Sequence, residues 1–384
     1  MRLLLSVHHE LDRNAGAAGA TLALGDELAR LGHSVSYLSH DDLPRRLPNV
    51  AKELVFPERA AFGIWRKAES VDVVDASTGD AWLWGRMWRR RSSQPPALVT
   101  RSHGLEHRFW AEQVAEADAA GHRIPLRTRL YHGNWRLREV AASLRGSDAC
   151  VFLNGADRDY AVEHLGVAPA RTHVVANGVP ASFIGRPLGQ PATSGEIGIA
   201  HIGSWAERKG SRFLAEALAP ILERHPAARM TLVGTRAPAD AVHGAFPEHL
   251  RPRVVLVPEY RHELLPDLLA GHHVLVSASL AEGFSLALPE AMACGLVPVA
   301  TAVGAAPELI RDGVNGLLVP PRDPRALKAA VTELMESPER LAVLQSAAHE
   351  TAQRYSWRSI AQDNLRVYES ARDYAAGRPA SAIS

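Results

Sequence analysis

The sequence predicts an α/β protein built from two doubly wound parallel domains facing a central cleft. Three observations carry that expectation. Short apolar runs alternate with amphipathic stretches almost from end to end, the pattern of strand–helix–strand units in a parallel sheet covered on both faces. At 384 residues the chain exceeds one ordinary domain. The alternation breaks once, at GRPLGQPATSGE (185–196), which holds three glycines, two prolines and little apolar material and reads as a linker.

The elements follow in order. RLLLSV (2–7), HSVSYLS (33–39), VDVVDAS (71–77), ALVTRS (97–102), DACVFL (148–153) and THVVAN (172–177) are short runs rich in apolar and β-branched residues, and each reads as a strand. Between the first two, Leu22, Leu24, Leu28 and Leu31 recur near helical spacing over 21–31. After the linker comes a second series: IGIAHIG (197–203), ARMTLVG (228–234), RVVLVP (253–258), HHVLVSAS (272–279), LVPVAT (296–301) and NGLLVP (315–320). This places an N-terminal domain over 1–186 and a second over 187–355. Such sheets bind ligands at the carboxyl ends of their strands. No short repeat or low-complexity tract occurs, and GRPASAIS (377–384) reads as a disordered tail.

Composition narrows the class. Apolar residues make up 46% and charged residues 22%, as in a globular protein with full cores. A net charge of +1 supplies no global field to hold nucleic acid, so no nucleic-acid partner is expected. Two cysteines, Cys150 and Cys294, exclude a disulfide framework and fit a reducing compartment. MRLLLSV is too short an apolar run for a leader and reads as the first strand. No run approaches the ~18–20 apolar residues of a membrane span. A cytoplasmic location follows as the expectation, with the inner face of the membrane as a variant of it.

EGFSLALPEAMACG (282–295) sets Glu282 and Glu290 on either side of an apolar run. Pro289 suits the first turn of a helix and Gly295 its exit. Unpaired amides at the start of that helix attract anions, and a diphosphate is their natural guest. Glu290 and Glu282 would then accept hydrogen bonds from sugar hydroxyls. Spacing alone leaves a plainer alternative equally open: one acid stabilising its own helix and one solvated loop acid.

The stretch resembles the E-x7-E signature of family 4 retaining glycosyltransferases, also called glycosyl transferases group 1, which have the GT-B fold of two Rossmann-like domains. The likeness continues through LVPVATAVGAAPELIRDGVNGLLVPPRDPRALKAAV and extends back to VVANGVP (174–180), IGSWAERKG (202–210) and the loop NAGAAGA. It covers nearly the whole chain and is weakest over about 40–95 and 105–145. The resemblance implies that Glu290 binds the ribose of a nucleotide and Glu282 the transferred sugar. The amides of Gly283, Phe284, Ser285 and Leu286 would face sugar and phosphate. Lys209 matches the lysine that pairs with the diphosphate, after Gly203. Ser204 stands where the family has arginine, so Arg208 becomes the candidate second cation. Ser285 replaces a family glycine. Gly16 matches a phosphate-loop glycine, with Ala15 in place of its neighbour. His103 matches a histidine near the transferred sugar, and Tyr260 and Arg261 lie where the base docks against backbone. The segment 356–384 resembles a final helix that crosses back to the N-terminal domain, with Trp357, Ile360, Leu365 and Tyr368 as apolar anchors.

Three other patterns are set aside. HGLEH (103–107) lacks the order of a zinc helix. DRD (157–159) lies in an expected helix, where residues two apart face different ways, and reads as solvated. WLWGRMWRRR (82–91) mixes three tryptophans with four arginines. It reads as a packed helix with a charged outer face, and the rival reading is a peripheral membrane contact. His8 and His9 end the first strand, where lining an acceptor pocket and simple packing stay equally open.

The expected function is transfer of a sugar from a nucleotide diphosphate sugar, with uridine placed slightly ahead, to a small-molecule, glycan or lipid-linked acceptor. The resemblance implies retention at the anomeric carbon, with no metal and no resident cofactor. The rivals are a silent GT-B protein that binds nucleotide or a partner, motivated by Ser204 and Ser285, and a nucleotide-sugar epimerase.

Overall fold

The computed structural model describes residues 1–89, 94–188 and 197–377. Most of the expected linker (189–196), the end of WLWGRMWRRR (90–91) and the tail from 378 lie outside them. Two compact units result, one formed by Met1–Gly178 with Trp357–Ser384 and the other by Val179–Ser356. The passage from the first to the second falls before the linker. The Val179 amide already donates to the Tyr355 carbonyl at 2.6 Å, and that pairing ties the segment after 178 to the second unit.

The first unit holds six parallel strands: β1 (Arg2–Val7), β2 (Ser34–Ser39), β3 (Val73–Ser77), β4 (Ala97–Arg101), β5 (Ala149–Phe152) and β6 (Thr172–Val174). Their spatial order is β2-β1-β3-β4-β5-β6. In β3, β4 and β5 every residue is buried, as two covered faces require. The helix Gly16–Arg30 buries Leu24 and Leu28, while Leu22 and Leu31 are only half-buried.

The second unit repeats the plan with β7 (Gly198–Ile202), β8 (Arg229–Val233), β9 (Val254–Val257), β10 (Val274–Ser277), β11 (Val297–Thr301) and β12 (Leu317–Val319). Their order is β12-β11-β10-β7-β8-β9. One core runs through it, from Ile199 and Leu218 to Val299 and Leu334. The helix Pro324–Glu336 starts where its pattern requires, with Pro324 in the first turn and Asp323 accepting from the Ala326 amide at 2.9 Å.

The final helix, Trp357–Ala375, belongs to the first unit. Trp357, Ile360 and Tyr368 are buried in it. Leu365 is half-buried, and Val367 takes the core position instead. Polar groups fix the rest of this contact. Arg101 on β4 meets Asp75 on β3 at 2.5 Å and Asn364 at 2.5 Å, and the Tyr368 hydroxyl donates to Asp75 at 2.6 Å. All four are buried, and satisfying them together avoids the cost of an unpaired interior charge.

One expectation about local chemistry changes here. DRD is not uniformly solvated: Asp157 is buried, accepting from the Leu105 amide at 3.0 Å and pairing with Arg108 at 3.0 Å. It sits in the first turn of the helix Gly155–Leu165, capped by Asn154, so its carboxylate joins two segments that the local pattern does not connect. In the tryptophan-rich stretch, Trp84 is fully buried and Arg89 pairs with Asp148. Among the described residues, no helix is long and apolar enough to cross a membrane.

Candidate functional site

In each sheet, strand order reverses at one place, and loops leaving the strands there part to opposite faces and open a crevice. In the second unit the reversal lies between β7 and β10; in the first it lies between β1 and β3. Both crevices carry polar side chains.

At the end of β7 the chain passes through Gly203 and Ser204 to a single turn, Glu207–Lys209, and then into the helix Ser211–Arg224. Gly210 makes the join in the left-handed conformation, φ 69°, and a Cβ there would stand 1.9 Å from the Ala278 carbonyl oxygen. The Leu280 amide donates to the Arg208 carbonyl at 2.8 Å, locking this turn to the loop after β10. We expect Gly210→Ala to destabilise the protein by about 1–3 kcal/mol, read as a lower urea midpoint. An unchanged midpoint would contradict the close approach.

That locking brings the cations to Glu282. Lys209 Nζ lies 2.5 Å from Glu282 Oε1, Arg208 lies 3.2 Å from Oε2, and the Ser279 hydroxyl donates at 3.0 Å. Burial pushes the Glu282 carboxyl up, but Lys209 and Arg208 outweigh it and hold the group below the usual carboxylate range. Two cations on one carboxylate leave net positive charge at the switch point, suited to a diphosphate. Beneath them His201, missed in the sequence, braces β7 against β10 through Nδ1, 2.9 Å from the Val276 carbonyl oxygen. Burial first, and then Lys209, lower its pKa to about 4.

The loop 282–286 leads into the helix Ala287–Ala293. Phe284 and Ser285 are buried, the Gly283 carbonyl accepts from the Ala305 amide at 3.1 Å, and the Leu286 carbonyl accepts from the Glu290 amide at 3.2 Å. Gly304 allows the neighbouring turn to press on this loop, since a Cβ there would come 2.3 Å from the Glu282 carbonyl oxygen. Glu290 is buried at 3% exposure. Its Oε1 accepts from His262 Nε2 at 2.8 Å, a partner that no spacing in the sequence signals.

The segment after β9 supplies that histidine. Tyr260 packs its ring against Gly234, 3.0 Å from where a Cβ would stand, and burial with Glu290 nearby pushes its hydroxyl up to about 12. Arg261 follows it in the same turn. It is exposed and turns to Glu263 at 2.6 Å, and the next residue, His262, reaches Glu290 instead. The two adjacent side chains thus take different carboxylate partners.

In the first unit, His8 at the end of β1 meets Asp80, beyond β3, at 2.8 Å, and Asp80 also accepts from Ser6 at 2.9 Å. Arg136 donates to the Thr78 carbonyl at 2.8 Å and approaches Glu106 at 3.5 Å. Burial lifts the Asp80 carboxyl to about 7 and drives His8 well down. The His9 ring lies tilted against His8 with centroids 4.9 Å apart, and His40 lies 6.3 Å beyond it. His103, two residues past β4, has both ring nitrogens buried and without a hydrogen-bond partner among the described residues. Burial, and then Arg101, take its pKa to about 3, so the ring is neutral. Gly16 opens the helix Gly16–Arg30, which no side chain caps, and nothing stands within 4 Å of its Cβ position. No three His, Cys, Asp or Glu side chains converge to hold a metal among the described residues.

Comparison with known proteins matches the same two units. The family described as Glycosyltransferase Family 4 matches residues 15–183, and that described as Glycosyl transferases group 1 matches 196–337. D-inositol 3-phosphate glycosyltransferase 1 of Catenulispora acidiphila is 29% identical over 359 residues, covering 88% of this chain and 81% of that protein. Among solved structures, sucrose-phosphate synthase from Thermosynechococcus elongatus superposes with a TM-score of 0.77 at 20% identity, covering 96% of this chain and 98% of the other. Anabaena Alr3699/HepE, solved in complex with UDP-glucose, gives 0.69 at 20% identity, covering 96% and 100%. At these identities the structural likeness speaks for the GT-B fold.

Proposed function

The chain belongs to the group 1, family 4 glycosyltransferases, and from that premise we propose that it moves a sugar from a UDP-sugar to a polyhydroxylated acceptor with retention and without a metal. The observation that carries this reading is the Lys209–Arg208–Glu282 cluster at the switch point of the second unit. The Anabaena neighbour was solved with UDP-glucose, which supports uridine as the base.

In this reading the second unit holds the donor. Glu290 accepts from the ribose and Glu282 from the transferred sugar, while Lys209 and Arg208 meet the diphosphate. The loop from Gly203 through Ser204 and the turn at Gly283 bring backbone close to it, and Tyr260 flanks the base. Breaking the bond between the anomeric carbon and the phosphate oxygen moves an electron pair onto the phosphate. A cation placed there lowers the barrier. The acceptor oxygen bonds to the anomeric carbon from the same face, and its proton passes to the departing phosphate oxygen. Because Lys209 and Arg208 already supply positive charge at that oxygen, the scheme calls for no metal. The first unit would take the acceptor. His8, partly exposed at its switch point and backed by the buried Asp80, offers a near-neutral hydrogen-bonding ring, which suits sugar or polyol hydroxyls. The inositol phosphate named for the Catenulispora relative fits a polyol.

The test is release of UDP from UDP-glucose, UDP-N-acetylglucosamine or UDP-galactose across an acceptor panel, with and without EDTA. We expect release that depends on the acceptor, an unchanged anomeric configuration by NMR, and no effect of EDTA. Conversion of the donor to an epimer without acceptor would favour the epimerase. Silence across donors and acceptors would favour a binding protein.

A further inference from the structure

Glu290 is buried on a seven-residue helix, and a carboxylate there needs a partner to hold one rotamer. His262 comes from a different element, the single turn His262–Leu264 after β9, and puts Nε2 2.8 Å from Oε1. Its ring lies against Phe183 with centroids 5.5 Å apart and planes 31° apart, and Phe183 is itself fully buried. The imidazole is therefore fixed on one side by an aromatic wall and aimed on the other at one oxygen of the carboxylate.

We propose that His262 is the positioning residue of Glu290: by donating to Oε1 it presents Oε2 to a ribose hydroxyl of the donor. The inference rests on the donor reading above and adds to it a residue that touches no substrate. The hydrogen bond to Glu290 comes first in raising the His262 pKa, and burial opposes it. The acids that act on the ring include Glu290 on its helix and Glu263 on the histidine's own segment, while Arg261 is engaged by Glu263 and Tyr260 neighbours Glu290 together with Arg236. A cationic donor makes a stronger bond than a neutral one. The support for Glu290 is thus full below the ordinary histidine range and weakens as pH rises through the elevated His262 value.

The experiment is calorimetric titration of the full chain with UDP, GDP, ADP and dTDP at pH 5.5, 7 and 8.5, taking forward whichever binds tightest. We expect His262→Ala to weaken binding about tenfold, the scale of one charge-assisted bond. His262→Gln, whose amide can still donate, should restore most of that loss and remove the decline with pH seen in wild type. Unchanged affinity in His262→Ala, alongside a clear loss in Glu290→Gln, overturns this inference and leaves the donor reading standing. Unchanged affinity in Glu290→Gln overturns the donor reading itself, as does binding of none of the four. If His262→Ala does not fold, His262→Gln decides: a decline with pH equal to that of wild type overturns the proposal.

Discussion

Lys209→Ala is expected to lower kcat with a UDP-sugar roughly a hundredfold or more, with a much smaller rise in KM. The reason is differential. In the proposed reading a bound donor carries a diphosphate that Lys209 would attract, but the bridging oxygen gains charge only as the glycosidic bond stretches, so the ammonium would stabilise the transition state more than the ground state. Position supports the effect. Lys209 Nζ is held 2.5 Å from Glu282 by a turn hydrogen-bonded to the loop after β10, so little reorganisation is needed at the moment of reaction. Lys209→Arg should recover part of the loss, because charge returns with altered reach. Steady-state kinetics on variants of unchanged melting temperature decide the matter. A raised KM at constant kcat would confine Lys209 to ground-state binding.

Glu290→Ala is expected to act on the other side of that divide. In the proposed reading it removes a charge-assisted hydrogen bond to the ribose worth roughly 1.5–3 kcal/mol, which corresponds to about a ten- to hundredfold rise in donor KM and in the Kd for UDP. The ribose lies away from the breaking bond, so kcat should fall less than affinity. The truncation also leaves His262 facing a cavity where Oε1 stood, and the raised His262 pKa should relax toward the ordinary value once Glu290 is gone. Calorimetry with UDP measures the affinity, and NMR titration of the histidine ring measures the relaxation. An unchanged Kd would remove the ribose role from Glu290.

The architecture was open to reading because its signal is local and repeated. All twelve strands appear where short apolar runs stand between polar turns, with ends that differ by up to three residues because pairing stops before the apolar run does. The helix around Glu290 begins and ends near Pro289 and Gly295, whose backbone limits are intrinsic to the residues. Lys209 and Glu282 were likewise visible as residue types after strands, although their contact spans 73 positions.

What escaped the reading shares one cause. His262, the His8–Asp80 pair and the buried Asp157 each depend on a partner on another element. Arg261 and His262 differ by one position in an irregular turn, and no periodicity shows which of them looks inward. The same holds for the final helix, where Val367 rather than Leu365 fills the core.

Residue chemistry along the chain was therefore enough to fix the strand–helix alternation, the two sheets and the stretches that bear cations and carboxylates, since apolar period and turn preference act over a few neighbours. Which charges meet, which acid is buried and which histidine steadies it depended on strand order. The reversals at β7/β10 and β1/β3 bring together loops that lie far apart in the chain, and electrostatics and burial act through space.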